Sequence, residues 1–232
     1  MKTTLSLSQP KFTHLGFARG SRPLPKLSQI TAADGTRVYE TEDGLAYPSV
    51  TTVLSKLSEA AITEWRDKVG EAEANRISTR AAARGTKLHS YAEHYLNNAS
   101  GFLDPIDLFS QELFQSFKPI LEPINNIHCQ ETKLYSHYLK LAGTVDCIAE
   151  YEGKLSIIDF KTAGKPKKKE WIHNYFMQCA AYAIMYEELT GIPVPQLVVL
   201  IAVEDEQPQV FKEKRNTWAR PLIDARKRFG NY

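Results

Sequence analysis

The chain has 232 residues, of which 43% are hydrophobic and 24% charged, and its formal net charge is +2 at pH 7. This length and composition are typical of one globular domain with a sizeable core. They exclude a membrane-spanning helix, because no apolar run approaches the ~18 residues that one needs. The three cysteines are odd in number and lack metal-type spacing, which argues against a disulfide framework and against a zinc or iron–sulfur site, and indicates reduced, intracellular thiols.

The N-terminal segment is basic. Residues 1–33 carry lysines and arginines but no acid. A transit peptide is similar in charge, but Pro10, Pro23 and Pro25 interrupt the amphipathic helix that such a peptide requires. We therefore predict an extended basic N-terminal arm over residues 1–36 and a single domain over residues 37–232.

The first half of this domain is predicted to be mainly helical. A β-hairpin is expected around Asp43-Gly44, because apolar and polar residues alternate on both sides of this turn dipeptide. Helical periodicity then extends over residues 58–97, with breaks expected near Gly70 and Gly85.

The second half mixes helices and strands. Asp104 is the expected cap of an amphipathic helix that has Pro105 in its first turn and ends near Pro119 or Pro123. The predicted elements that follow are strands at 127–138, 143–151 and 154–161, a helix at 169–189, strands at 196–203 and 207–213, and a basic helix at 216–229. This order indicates an α/β fold with a mixed sheet and helices against its faces.

Two aspartates lie at the ends of apolar runs in the second and third of these strands. Glu152-Gly153 is a natural two-residue turn, so Asp146 and Asp159 are expected to lie opposite each other, with Lys161 on the same face. Two opposed carboxylates are destabilising unless a positive charge lies between them. Two hypotheses stay open on this geometry, an Asp–Lys–Asp salt-bridge cluster and a site for Mg²⁺ or Mn²⁺, which prefer carboxylate ligands.

Other polar residues favour the metal site. His89 and Glu93 are four residues apart on one helical face, as are Gln178 and Tyr182, and Glu131 stands in the strand before the hairpin. A single histidine on an apolar helix face is usually a core residue, and a Gln–Tyr pair is usually an ordinary polar edge. Their combination with the Asp–Asp–Lys hairpin is much harder to explain by chance.

The ordered motifs RGTKLH, GTVD, IDFKT and QCAAY resemble those of the PD-(D/E)XK nuclease superfamily, in particular its RecB-like exonuclease branch. The stretches YPSVTTVLS, WRDKVG and AAARGTKLHSYAEHYL are similar to those of mitochondrial genome maintenance exonucleases and of related exonucleases of tailed bacteriophages. The resemblance covers roughly residues 37–205. It implies a restriction-endonuclease-like core, with a mixed sheet flanked by helices and an N-terminal helical extension.

The resemblance also implies roles for individual residues. The metal would be bound by His89, Asp146, Asp159 and the carbonyl oxygen of Phe160. Lys161 would orient the attacking water and stabilise the developing charge, while Gln178 and Tyr182 would help to place Lys161 and the DNA backbone. Glu93 and Glu131 match less closely and are second-tier candidates. Asp159 stands where many members of the superfamily have glutamate, as is normal in the RecB-like branch. The expected cofactor is Mg²⁺, with Mn²⁺ as a substitute and without an iron–sulfur cluster.

Basic residues flank the expected site. Arg76, Arg80 and Arg84 recur every four residues on the helix that leads to His89, and Lys167 and Lys168 follow the strand of Lys161. Each cluster taken alone is most often a solvated face. Contacts with phosphates, however, need this kind of sequence-independent positive charge, so we predict that these residues bind DNA.

These observations together predict a metal-dependent DNA exonuclease that acts on single-stranded ends or flaps in replication, repair or recombination. The expected location is the cytoplasm of a bacterium or of a phage-infected host rather than a mitochondrion. Two alternatives stay open, a structure-selective endonuclease with the same site and a catalytically silent DNA-binding or recombination-partner module. Covalently closed single-stranded circles separate an exonuclease from an endonuclease, and a silent module has no reason to keep two facing acids near phosphates.

Overall fold

The computed structural model describes residues 11–16, 26–31 and 36–229. Its first element is a small antiparallel sheet of β1 (Ser28–Thr31), β2 (Arg37–Glu40) and β3 (Ala46–Pro48). The predicted hairpin around Asp43-Gly44 is confirmed as the β2–β3 pair, and Gly44 takes a left-handed φ of 77° that suits a glycine. Of the N-terminal arm, residues 1–10, 17–25 and 32–35 lie outside the described part, and the domain division at residue 36 stays a prediction.

Three helices follow, α1 (Val50–Ser55), α2 (Glu59–Val69) and α3 (Glu71–Leu96). The predicted break near Gly70 is confirmed, because Gly70 ends α2 with a φ of 85°. The predicted break near Gly85 is wrong, since α3 runs without interruption to Leu96. Gly85 lies near the sheet, but a Cβ at this position would make only an ordinary contact of 3.9 Å with Oγ1 of Thr162.

Helix α4 (Leu108–Phe117) begins later than the sequence predicts. Its N-cap is Asp107, whose carboxylate accepts a hydrogen bond from the backbone N–H of Ser110. The expectation that Asp104 caps this helix is wrong, because its side chain accepts from the N–H of Ile106 and forms an ion pair with Lys87. The preceding turn, with Pro105, therefore lies outside the helix.

The main sheet contains β4 (Ile124–Ser136), β5 (Leu141–Tyr151), β6 (Lys154–Ala163), β7 (Gln196–Val203) and β8 (Gln209–Lys214), in that spatial order. All neighbouring pairs are antiparallel except β6 and β7, which are parallel and are joined through α5 (His173–Thr190). A 3₁₀ turn at Lys169–Trp171 occupies the start that the sequence predicts for α5. Helix α6 (Arg215–Arg228) completes the order of elements, and the predicted α/β class with a mixed sheet is confirmed.

Both faces of the main sheet are covered by helices. Helices α5 and α6 pack on one face through residues such as Phe176 and Leu222, and α3 and α4 pack on the other through Leu88 and Phe114. Burial on both faces explains the nearly continuous apolar sequence of β7. Among the residues that the structure describes, no helix is both long and apolar enough to cross a membrane.

Candidate active site

The β5–β6 hairpin places two acids in the interior of the domain. Its turn has Glu152 and Gly153 at φ values of 52° and 72°, the left-handed conformations that a tight hairpin turn requires. The predicted register is confirmed as far as the pair Cys147–Ile158, one step before the two aspartates. Beyond that pair, the Asp146 side chain replaces the backbone ladder, since its Oδ2 accepts a hydrogen bond of 2.8 Å from the N–H of Phe160.

Asp159 forms an ion pair with the lysine two residues further along β6. The Nζ of Lys161 lies 2.6 Å from both carboxylate oxygens, but only Oδ1 has hydrogen-bond geometry, and Oδ2 has no aligned donor. The Nε2 of Gln178 on α5 donates a second hydrogen bond of 2.9 Å to Oδ1. The carboxylate of Asp159 is therefore held by Lys161 from its own strand and by Gln178 from α5.

Burial and the neighbouring charges shift the pKa values of both members of this pair. It raises the pKa of Asp159 to about 6, although the Lys161 ammonium acts in the opposite direction. For Lys161, burial lowers the pKa, but the charges of Asp159 and Asp146 outweigh this effect and raise it above its ordinary value. Lys161 therefore carries its positive charge at neutral pH, which makes it an electrostatic donor rather than a base.

His89 on α3 joins a second group of side chains on the same strands. Its Nε2–H donates a hydrogen bond of 2.8 Å to the carbonyl oxygen of Phe160, which leaves Nδ1 to face the acids. Nδ1 lies 3.7 Å from Oε1 of Glu131 and 3.7 Å from Oδ1 of Asp146. One ligand atom from each of these three residues lies within 4.8 Å of the other two, so the group could hold a metal ion.

The protonation of His89 follows from these neighbours. Burial lowers the pKa of the imidazole, but the nearby carboxylates of Glu131 and Asp146 outweigh this effect and raise the pKa to about 9. A proton on His89 thus balances the carboxylates at neutral pH. A metal ion at this position must displace that proton, because only the neutral ring offers a lone pair.

Glu131 has an unusual backbone for a residue within a strand. Its φ is 43°, in the left-handed region, and it lies between the ladder pairs Gln130–Cys147 and Thr132–Val145. Glu131 is therefore the residue of β4 that lies opposite Asp146 of β5. A non-glycine residue held in this conformation costs about 1–3 kcal/mol, and such strain concentrates at functional sites.

The two predicted site residues on α5, Gln178 and Tyr182, have separate partners. Gln178 bonds Asp159, as described above, whereas Tyr182 is buried and packs its ring against Gly143 of β5. A Cβ at Gly143 would lie 2.8 Å from the Tyr182 hydroxyl oxygen and 3.0 Å from Cε1, so only glycine fits beneath this ring without displacement. The glycine of the GTVD motif therefore provides space for the tyrosine of the α5 motif.

The structure thus gathers most of the predicted residues. His89, Glu131 and Asp146 form one group, and Asp159, Lys161 and Gln178 form another, with Phe160 between them. The carbonyl oxygen of Phe160 is bonded by His89, and the roles of Phe160 and Asp159 as metal ligands stay predictions. Glu93 lies one turn beyond His89 on α3, outside the group of three possible ligands found among the described residues.

Two residues that contact the site were not predicted from the sequence. One is Gly143, which could have been inferred only from its contact with Tyr182. The other is Tyr175 on α5, whose ring centroid lies 5.2 Å from the Nζ of Lys161. Its position three residues before Gln178 puts it on the same helical face, a signal that was present in the sequence.

The predicted arginines lie along a cleft of about 260 Å³ that also includes Gly164, just past the end of β6. Arg76 is paired with Glu73, and Arg84 with Glu204. The guanidinium of Arg80 lies 5.5 Å from the ring centroid of Phe109. Of the three, only Arg80 lacks a carboxylate at ion-pair distance within the described part of the chain, so it is best placed to meet a phosphate.

The two predicted lysines follow β6 at the same end of the sheet. The backbone of Lys167 is held by the side chain of Gln209, which accepts from its N–H and donates to its carbonyl oxygen. The Nζ of Lys168 lies 5.3 Å from the ring centroid of Trp171. A DNA-binding role for these lysines and for the arginines stays a prediction.

Comparison with known proteins agrees with the resemblance inferred from the motifs. A family model described as the PD-(D/E)XK nuclease superfamily matches residues 52–226. The chain is similar to mitochondrial genome maintenance exonuclease 1 of Homo sapiens, with 26% identity over 175 residues, which cover 69% of this chain and 50% of that protein. The protein of the same name from Xenopus tropicalis is 28% identical over 174 residues, with 69% and 50% covered. The chain thus spans about half the length of the curated relatives it matches.

Proposed function

The chain belongs to the PD-(D/E)XK nuclease superfamily, and on that premise we propose that it is a metal-dependent exonuclease that hydrolyses phosphodiester bonds at single-stranded DNA ends or flaps. The observation that carries the proposal is the contact between two groups of side chains. The possible metal ligands His89, Glu131 and Asp146 adjoin the Asp159–Lys161 ion pair across a single residue, Phe160.

The first group fits a divalent cation by its chemistry. Two carboxylates and one imidazole nitrogen, within 4.8 Å of one another, match the ligands that Mn²⁺ uses, and the carboxylates also suit Mg²⁺. His89, Glu131 and Asp146 would hold the ion. When bound, it would supply Lewis-acid activation of the phosphate and of the attacking water.

The second group supplies a fixed positive charge. The ammonium of Lys161 is charged at neutral pH, because the neighbouring carboxylates raise its pKa. Asp159 holds this ammonium at 2.6 Å, and Gln178 holds Asp159 from α5. Negative charge that develops on a phosphate placed beside the first group is thereby stabilised by a donor that needs no rearrangement.

The finer parts of the proposal rest on the relatives and on the charged surface. The relatives are exonucleases of genome maintenance by name, which supports a role for this chain in DNA replication, repair or recombination. Arg80 and the lysines after β6 would meet the DNA backbone on either side of the site. The predicted cytoplasmic location is not favoured by these relatives, whose name is mitochondrial, and it stays a prediction.

Digestion of end-labelled DNA tests the proposal. Single-stranded and double-stranded substrates are incubated with Mg²⁺, with Mn²⁺ and with excess chelator. We expect cleavage from ends with either metal, none with chelator, and covalently closed single-stranded circles left intact. Cut circles would establish the endonuclease instead, and full activity in chelator would refute the metal site.

A matched pair of variants assigns the activity to the site. Asp146→Asn should abolish cleavage, because it removes a charged ligand at nearly constant shape. Glu150→Gln, four residues along the same strand, removes a carboxylate that bonds Asn126 away from the site and should leave cleavage unchanged. Equal loss in both variants would indicate a structural rather than a chemical effect.

A further inference from the structure

Helix α5 and the turn before it carry a row of polar and aromatic residues that extends outward from the candidate site. Its inner members, Tyr182 and Gln178, touch Gly143 and Asp159. The next residue outward, Tyr175, lies beside Lys161, and the outermost, Trp171, lies beside Lys168. The three members on α5 are four and three residues apart, the spacing of one helical face, and Trp171 lies in the 3₁₀ turn four residues before Tyr175.

The orientation of the outer two residues is supported by the burial of their neighbours. Ile172 and Phe176 are both buried in the core. Trp171 and Tyr175 each precede one of these residues, so they share the flank beside the buried face. The backbone supports this arrangement, because the N–H of Tyr175 donates to the carbonyl oxygen of Ile172 and the N–H of Ile172 donates to that of Lys169.

Trp171 is much more exposed than the buried tryptophan Trp218. Its relative exposure is 64%, whereas Trp218 is 8% exposed. An exposed indole keeps a large apolar surface in contact with water, so it adds little to the stability of the fold. A large exposed aromatic side chain beside cations is typical of a binding surface. The ammonium of Lys168 lies at 5.3 Å from the Trp171 ring centroid, as the ammonium of Lys161 lies at 5.2 Å from that of Tyr175. An aromatic ring and a cation therefore recur together twice along the row.

We propose that Tyr175 and Trp171 form a stacking path for unpaired bases of the DNA strand whose phosphate lies at the candidate site. This inference rests on the proposed nuclease function and specifies how a single strand is selected. Rings that alternate with cations offer one stacking surface and one phosphate contact for each nucleotide. A paired base has its faces covered by its neighbours in the duplex and cannot use such a path.

The test compares two single strands with the same number of phosphates, an oligo-dT and an abasic strand that carries no bases. Binding of each labelled strand is measured by fluorescence anisotropy in chelator, which prevents cleavage. For Trp171→Ala we expect the affinity for oligo-dT to fall about tenfold, the loss of roughly one base–aromatic stack, and the affinity for the abasic strand to stay unchanged. Trp171→Phe should recover most of the loss, because a phenyl ring also stacks.

Two control comparisons separate stacking from charge and from folding. Lys168→Ala should weaken both strands alike and lower the salt slope of binding by about 0.7, whereas Trp171→Ala should leave the slope unchanged. Tyr175→Leu should lose oligo-dT affinity while Tyr175→Phe retains it, because only the phenyl ring can still stack on a base, although both variants keep an apolar side chain beside Lys161. Thermal melts of all variants identify any loss of fold.

The outcomes distinguish the stacking path from the nuclease activity. Equal losses on both strands, no loss on oligo-dT, or no binding of oligo-dT by the wild-type chain would overturn the path. If the wild-type chain cleaves DNA ends with Mg²⁺ or Mn²⁺ while Trp171→Ala binds normally, the path is refuted and the nuclease stands. If Trp171 governs oligo-dT binding but no metal supports cleavage, the proposed nuclease activity fails and the stacking path is retained.

Discussion

Replacing Gly143 by alanine tests the fit between the GTVD strand and the α5 motif. The new Cβ would lie 2.8 Å from the Tyr182 hydroxyl oxygen, 3.0 Å from Cε1 and 3.3 Å from Cζ, where ordinary van der Waals contact begins at 3.4 Å. Tyr182 is buried in the core, so its ring has little room to move away. Overpacking of this kind costs about 1–3 kcal/mol, so we expect the melting temperature to fall by about 2–12 °C for a domain of this size.

Thermal unfolding followed by circular dichroism measures the effect. Gly164→Ala is the matched control, because no atom lies within 4 Å of its added Cβ and the same glycine-to-alanine change in backbone entropy applies. Tyr182→Phe removes the nearest atom of the clash, so it should recover part of the stability lost by Gly143→Ala, and the double-mutant cycle should show coupling. A melt of Gly143→Ala equal to that of the control would refute the reasoning.

Four further outcomes are expected. Adding Mg²⁺ or Mn²⁺ to the metal-free protein should raise its melting temperature, and Asp146→Asn should abolish that rise; an unchanged wild-type melt contradicts the site. Because the folded-state pKa of His89 is raised to about 9, its contribution to metal-free stability is complete below pH ~6.5 and is lost as pH rises through 9. Urea titrations should therefore show a stability difference between wild type and His89→Ala that shrinks over this pH range, and a difference that does not change with pH would contradict the raised pKa. Arg80→Ala should reduce the salt slope of DNA binding by about 0.7–0.9. Arg76→Ala should reduce it less, because the charge of Arg76 is already paired with Glu73, and equal slopes would refute this ranking. Glu131→Gln should reduce the metal-induced rise in melting temperature, because an amide is a weaker metal ligand than a carboxylate, and an unchanged rise would contradict a role of Glu131 as ligand.

The local parts of the site could be predicted from the sequence because they depend on short-range periodicity. The Glu152-Gly153 turn determines which residues of β5 and β6 are neighbours, and the confirmed pair Cys147–Ile158 follows from it. The four-residue spacing of Gln178 and Tyr182 likewise predicts one face of α5. A helix or hairpin transmits such relations through its own backbone, whatever surrounds it.

The outcome of the open choice between a salt bridge and a metal site depended on tertiary contacts. The Asp159–Lys161 pair is a salt bridge, and a separate group of His89, Glu131 and Asp146 could hold a metal ion, so the two hypotheses are not exclusive. Nothing local to Glu131 predicts its positive φ or its position across from Asp146, because both follow from the pairing of β4 with β5.

Charge pairing over long sequence distances also required the fold. The sequence presents Arg84 as one of three equivalent arginines. The parallel pairing of β6 and β7 brings Glu204 beside Arg84, and the two side chains form an ion pair. Gly85 predicts a helix break from the sequence, yet α3 continues through it. The sequence thus determines which residues can share a face, whereas the packing of helix on sheet decides which charges meet and which stay available to a ligand.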